Sequence, residues 1–303
     1  MKRMLLLGLA VLFMETMKGA ANAAEAQFSR ESFTLGSTTL PYRKANICPG
    51  GTSPTLVLYL HGGSSRGSDN EAQLKENAVS VISQYLLSHG IPATFLVPQC
   101  PSGGGWTGQL RKVVYELLKS YIQKGLANPD RIYILGGSMG GTGTWAQLSY
   151  FPDFYAAAMP VAGNPTGMNA ANVATTPVLT VMGTDDSMMS IDNVESFMSE
   201  VINAGGSVQL DIEQGWSHPT TCEQSYTDTR LDWLFSQHKN ANPTKGDVNG
   251  DGTVNLLDVT MTISCLLGLP HPDVTEAAAD MNGNGKVDIS DVTSIIDVYL
   301  EAK

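Results

Sequence analysis

Two hydrophobic periods alternate along most of the chain. Thr55 to Leu60 (TLVLYL), Ala93 to Val97, Ile132 to Leu135, Ala157 to Val161, Val178 to Met182 and Val208 to Ile212 are short, largely apolar runs. Near-continuous runs of this length are the signature of strands buried on both faces of a parallel sheet. Between them, Ala72 to Leu87 sets Leu74, Ala78, Val81, Ile82, Tyr85 and Leu86 at helical spacing. Leu110, Val113, Val114, Leu117, Leu118, Tyr121 and Ile122 form a second helical stripe. Asp192 to Asn203, capped near Ser190 or Asp192, and Thr227 to Phe235 read as further helices. Ahead of these, Ser32 to Tyr42 alternates as an edge hairpin around Gly36-Ser37. The alternation predicts an α/β fold, a doubly wound and mostly parallel sheet covered on both faces by helices. Such sheets bind ligands at the carboxyl ends of their strands.

The pattern changes after the polar stretch Asn240 to Lys245, which reads as a linker. Beyond it, Val259, Ile263, Leu266 and Leu267, then Val292, Ile295, Ile296 and Tyr299, form two helical stripes, predicting a small all-α unit. At the other end, Lys2 and Arg3 precede an apolar run from Met4 to Met14 and an Ala21-Asn22-Ala23 site. That is the pattern of a secretory signal peptide. The expected organisation is a signal peptide over 1–23, an α/β domain over 24–239, a linker over 240–245 and a small domain over 246–303. No later segment reaches membrane-spanning length, so a secreted protein without a membrane span is expected.

Charge sharpens the division. The net charge is −11, and residues 246–303 hold ten acidic against two basic side chains. Neither part has a basic surplus, which speaks against a nucleic-acid partner. Export would permit disulfides among Cys48, Cys100, Cys222 and Cys265, but the spacing selects no pairing and fits buried free thiols equally well.

Candidate chemistry centres on Gly136-Gly137-Ser138-Met139-Gly140, a G-x-S-x-G pattern between a strand and a helix. Such an elbow exposes a serine at the top of a sheet. A serine hydroxyl needs a base, and the base needs an acid to fix its tautomer. Of the five histidines, His61 sits where an oxyanion loop begins, His89 precedes a helix-ending glycine, His238 abuts the linker and His271 lies between prolines in the tail. His218, after the last strand, remains as the base. The acid belongs between Ser138 and His218, and Asp185 and Asp186 both follow a buried strand there. Oxyanion donors are expected from the N–H of Met139 and from the His61-Gly62-Gly63 loop, through Gly63 or Ser64. Trp106 and Trp216 flank these loops, where they either stack on substrate or pack beneath it; Trp145 reads as packing under the elbow helix.

These motifs taken together, LHGG, PQC, GGGW, GGSMGGTGTW, FPDFYAAAMPVAG, GTDD and GWSH, resemble the secreted α/β-hydrolase esterases. That group includes feruloyl and acetyl-xylan esterases, polyhydroxybutyrate depolymerases and peptidases of similar build. The resemblance runs from about Thr55 to Phe235. It implies a serine esterase acting on polysaccharide-linked esters without a catalytic cofactor. It also places the acid three residues after Gly183, at Asp186. A peptidase or polyester depolymerase on the same triad, or a non-catalytic scaffold component, are the alternatives.

The acidic tail has its own pattern. Asp247, Asn249, Asp251, Thr253, Asn255 and Asp258 occupy positions 1, 3, 5, 7, 9 and 12 of a calcium loop, with Gly252 at the turn. Asp280, Asn282, Asn284, Lys286, Asp288 and Asp291 repeat it 33 residues later, Thr253 and Lys286 serving through their carbonyls. Two Ca²⁺ are therefore expected. The loop–helix duplication resembles the type I dockerin module, which implies a cohesin partner and attachment to a multi-enzyme complex or the cell surface. Loop positions 10 and 11, often polar in that module, are Leu256-Leu257 and Ile289-Ser290.

Overall fold

The computed structural model describes residues 26–49, 54–239, 245–249, 254–268 and 276–301. The expected signal peptide, most of the linker, and the loop residues Asp251 and Thr253 lie outside the described residues.

Eight strands form one sheet: β1 (Phe28–Leu35), β2 (Thr38–Ile47), β3 (Thr55–Leu60), β4 (Ala93–Pro98), β5 (Ile132–Gly137), β6 (Ala157–Val161), β7 (Val178–Asp185) and β8 (Val208–Ser217). Their spatial order is β1-β2-β4-β3-β5-β6-β7-β8. The hairpin β1–β2 and the β2–β4 pair are antiparallel, and every pairing from β3 to β8 is parallel. Strands β3 to β6 are buried at every position, which is why their sequences lack a polar face. The hairpin turn falls at Gly36, whose φ of +60° suits glycine.

Helices α1 (Asn77–Ser88), α2 (Gly108–Gln123), α3 (Met139–Tyr150), α4 (Ala170–Val173), α5 (Ile191–Asn203), α6 (His218–Gln224) and α7 (Asp228–Phe235) cover the sheet. Two cores result, one on each face. Val57, Ile82, Phe95, Leu135 and Phe235 pack on one side; Leu58, Val114, Leu118, Ile134 and Trp145 pack on the other. Ser190 caps α5, its side chain accepting from Asn193 N–H at 3.2 Å.

Three local features depart from the pattern reading. The stripe from Ala72 to Leu87 is two elements, a 3-10 turn at Ala72–Lys75 and then α1, broken where Glu76 is extended (φ −69°, ψ 129°). Strand β8 runs on to Ser217 instead of stopping near Ile212. Arg230 of α7 pins that extension through Asp211 at 2.8 Å and through Glu213. His218 opens the short helix α6 rather than sitting in an open loop.

The tail carries α8 (Leu256–Leu266), α9 (Glu276–Ala279) and α10 (Ile289–Glu301). Val248, Val259, Met261, Ala279, Val292 and Ile295 form its own core. All four cysteines are free thiols.

Candidate active site

The site assembles at the carboxyl ends of β3, β5, β7 and β8. Ser138 follows β5 with φ 57° and ψ −115°, a left-handed backbone that side chains rarely adopt. The turn is tight enough that Gly136 and Gly140 have no room for a side chain. A Cβ on Gly140 would stand 1.7 Å from the Leu60 carbonyl oxygen, and one on Gly136 2.5 Å from the carbonyl carbon of Gly140. The main chain of Ser138 is anchored to β6 by its N–H, which donates to Val161 O at 3.0 Å. Ser138 also stands at the N-terminus of α3, whose first-turn N–H groups, Met139 among them, have no acceptor within the helix.

His218 lies between Ser138 and Asp186. Its Nδ1 is 2.7 Å from Asp186 Oδ2, and its Nε2 is 2.7 Å from Ser138 Oγ. A carboxylate only accepts, so Nδ1 carries the proton and Nε2 receives the serine hydroxyl. The Asp186 side chain is fully buried, and its second oxygen takes the N–H groups of Met188 and Met189 at 2.8 and 2.9 Å. Asp185 is exposed, with Thr184 Oγ1 donating to it at 3.2 Å. Of the two carboxylates left open by the chain order, Asp186 is the one that meets the imidazole.

A cavity of about 1000 Å³ opens beside Ser138 and His218, with Gly63, Ser64, Glu76, Met188 and Glu223 among its walls. Cys222 also lines it, and burial pushes that thiol up to about 12, which favours its protonated form.

Of the two roles open to the tryptophans beside these loops, stacking on substrate or packing beneath it, the geometry favours packing for Trp106. Trp106 is 1% exposed and donates its Nε1–H to His61 O at 2.9 Å, which makes it packing beneath the loop. Trp216 is half-buried, and neither ring lines the cavity. His61 is buried, accepting Cys100 N–H at Nε2 (2.9 Å) and approaching Gly62 O through Nδ1 at 2.6 Å. Burial holds it below the usual 6.5.

Sequence reasoning missed Glu76. Its carboxylate accepts Gly62 N–H at 2.8 Å, Ser65 Oγ–H at 2.7 Å and Tyr59 O–H at 2.7 Å. A glutamate inside an amphipathic stripe carries no signal of that role.

Comparison with known proteins bears on the fold and the domain order. Residues 107–244 match the dienelactone hydrolase family, and residues 245–299 match the dockerin type I domain. Over those stretches the chain is similar to dienelactone hydrolases, within an α/β-hydrolase-like fold, and a dockerin type I domain follows. A dipeptidyl aminopeptidase BIII from Pseudoxanthomonas mexicana is 30% identical over 151 residues, 46% of this chain and 21% of that protein. The chain therefore spans about a fifth of that relative's length. A thermostable esterase shares the fold at TM-score 0.65 and 24% identity, over 70% of this chain and 63% of that one. The acylaminoacyl peptidase of Pyrococcus horikoshii does so at TM-score 0.56 and 13% identity, over 73% and 43%.

In the dockerin domain the two loops share one closing device. Asp258 accepts Val248 N–H (2.8 Å) and Asn249 N–H (3.2 Å) on one oxygen and Asn255 N–H (2.8 Å) on the other. Asp291 does the same with Met281 (2.9 Å), Asn282 (3.3 Å) and Asp288 (2.8 Å). Within the second loop Asp280 accepts N–H groups from Gly283, Asn284 and Gly285 at 2.8 to 3.1 Å. The Gly285 N–H leads the contacts that hold its carboxyl below the usual range. Gly285 itself has a φ of +79°, the sharp turn expected at position 6. Among the described residues no three carboxylate, imidazole or thiolate groups stand close enough to hold an ion by themselves. The second loop mixes carboxylates with Asn amides and a backbone carbonyl, an all-oxygen donor set that fits calcium. No helix among the described residues is long and apolar enough to cross a membrane.

Proposed function

We propose that the protein is a secreted serine esterase that removes feruloyl or acetyl groups from xylan-type polysaccharide. The observation that carries this reading is the unbroken line from Ser138 Oγ through His218 to the buried Asp186. In the proposed cycle His218 Nε2 takes the Ser138 proton as Oγ attacks the ester carbonyl. The charge forming on the carbonyl oxygen is met by the N–H of Met139 and that of Gly63 or Ser64. Asp186 stabilises the imidazolium, which then protonates the leaving alcohol; water repeats the sequence to release the acid. Two charged side chains, Lys75 and Glu223, stand in the cavity's wall, and Met188 stands 67% exposed at its edge. That lining suits a hydroxyl-rich alcohol beside a modest acyl group.

The dockerin would serve this chemistry by attachment. Asp247, Asn249, Asp251, Thr253, Asn255 and Asp258, and Asp280, Asn282, Asn284, Lys286, Asp288 and Asp291, are proposed to hold two Ca²⁺, which when bound brace the loops against their helices. A cohesin partner would meet the apolar positions Leu256 (61% exposed), Leu257 (44%) and Ile289 (70%). The enzyme would then act outside the cell, in a complex held near its polymer.

A panel of feruloylated arabinoxylan, acetylated xylan, a polyester and dipeptide amides, run with the wild type and Ser138→Ala, tests the reading. Ester cleavage lost in Ser138→Ala supports it; unchanged cleavage refutes it. The peptide arm is included because of the likeness to a dipeptidyl aminopeptidase. Turnover of amides alone would move the assignment to peptidase.

A further inference from the structure

We infer that Glu76 is a positioning residue that aims the oxyanion loop, an inference that rests on the serine-esterase reading above. The loop Gly62-Gly63-Ser64 has little stiffness of its own, because two successive glycines leave the backbone many conformations. It nevertheless has to present one N–H to within hydrogen-bond reach of a charge that exists only transiently, and rigid donors are what make such a site effective.

The structure shows what holds it. Glu76 Oε1 accepts both Gly62 N–H at 2.8 Å and Ser65 Oγ–H at 2.7 Å, so one oxygen grips the loop on either side of Gly63 and Ser64. Oε2 is tied to Tyr59 O–H at 2.7 Å, and Tyr59 belongs to β3, the rigid strand from which the loop springs. The Gly62 carbonyl is fixed from the other side, by His61 Nδ1 at 2.6 Å and by Ser65 N–H at 3.3 Å. A trans peptide sets its N–H opposite its C=O. With Gly62 O turned to the His61 ring, the N–H of Gly63 is aimed away from that ring. Gly63 and Ser138 line the same cavity, and a Cβ built on Gly62 would lie 3.7 Å from Ser138 Cβ. Gly62 N–H is occupied by the carboxylate, so it is no oxyanion donor; Gly63 becomes the donor on this side.

The chain interrupts a helix for this. The apolar stripe from Leu74 to Leu86 would continue through Glu76, yet Glu76 is extended and turned into the cavity wall, and α1 restarts at Asn77.

The test compares wild type, Glu76→Gln, Glu76→Asp and Glu76→Ala on 4-nitrophenyl acetate, with thermal melting of each. Glu76→Ala should lower kcat about 10- to 100-fold, less than outright loss of a donor, with KM within about threefold. Glu76→Gln should stay within about threefold of wild type, since the amide oxygen still accepts from Gly62 and Ser65. Glu76→Asp, one methylene short, cannot span all three donors and should lose about fivefold or more in kcat; it keeps the test decisive if the alanine variant fails to fold. A folded Glu76→Ala or Glu76→Asp with wild-type kcat overturns the inference. So does a loss confined to KM, which would make Glu76 a substrate contact, or a Glu76→Gln as impaired as the shortened variants. A serine-directed fluorophosphonate separates the two layers. Failure to label the wild-type protein at Ser138 refutes the serine-hydrolase reading and this inference with it. Normal labelling with unaltered Glu76 variants refutes this inference alone.

Discussion

Asp186 meets His218 with one carboxylate oxygen, Oδ2 at 2.7 Å from Nδ1, and keeps the other for the main chain of its own loop. The two halves of that carboxylate are separable by substitution. Asp186→Asn retains an oxygen for the Met188 and Met189 N–H groups but offers an amide N–H to His218, favouring the wrong tautomer. Activity should fall on the order of 10⁴-fold with melting little changed. Asp186→Ala should lose comparable activity and also melt lower, because two loop N–H groups lose their acceptor. Steady-state rates paired with thermal melts of both variants check this.

Trp106 separates packing from recognition. Trp106→Phe leaves the buried His61 carbonyl without its 2.9 Å donor, so denaturant unfolding should report a loss of about 1–3 kcal/mol. KM for any ester should be unchanged. A raised KM with unchanged stability would restore the ring to a role in binding.

His61 gives a pH dependence with a definite sign. Burial favours its neutral form, so protons bind the unfolded chain more readily than the folded one. The stability tied to neutral His61 is complete above about pH 6.5 and drains as pH falls below it. Protonation also removes the lone pair that accepts Cys100 N–H. Between about pH 7 and pH 5 the wild type should therefore lose more melting temperature than His61→Gln, whose amide oxygen accepts at either pH. Equal slopes would count against it.

Calcium should divide the chain functionally. Chelation is expected to destabilise the dockerin melting transition while ester hydrolysis by the α/β domain continues, and Asp280→Ala should lower calcium affinity in titration calorimetry. A single unfolding transition indifferent to chelator would contradict the calcium-loop reading.

Much of this architecture was legible because its signals are local. β3 to β6 are apolar at nearly every position, since helices cover both faces, and the Gly136–Gly140 elbow follows from steric closeness to Leu60. His218 could be named from its order after the strands, and the same order narrowed the acid to Asp185 or Asp186. What stayed hidden depends on contacts between distant segments. The break at Glu76 is set by donors 11 to 17 residues earlier, and the extension of β8 by Arg230 from a later helix. Trp106 stayed open between stacking and packing because nearness along the chain does not tell which side of a loop an indole lies on. Its 1% exposure settles that.

The elbow has a consequence for how this enzyme can change. Ser138 is located almost wholly by main-chain atoms: the Leu60 carbonyl against Gly140, and Val161 O on its own N–H. Side chains at the cavity's edge, such as Lys75, Met188 and Glu223, take no part in that anchoring. Preference among substrates can therefore drift, or be bred, by exchanging those side chains while the Ser138 hydroxyl stays where the backbone puts it.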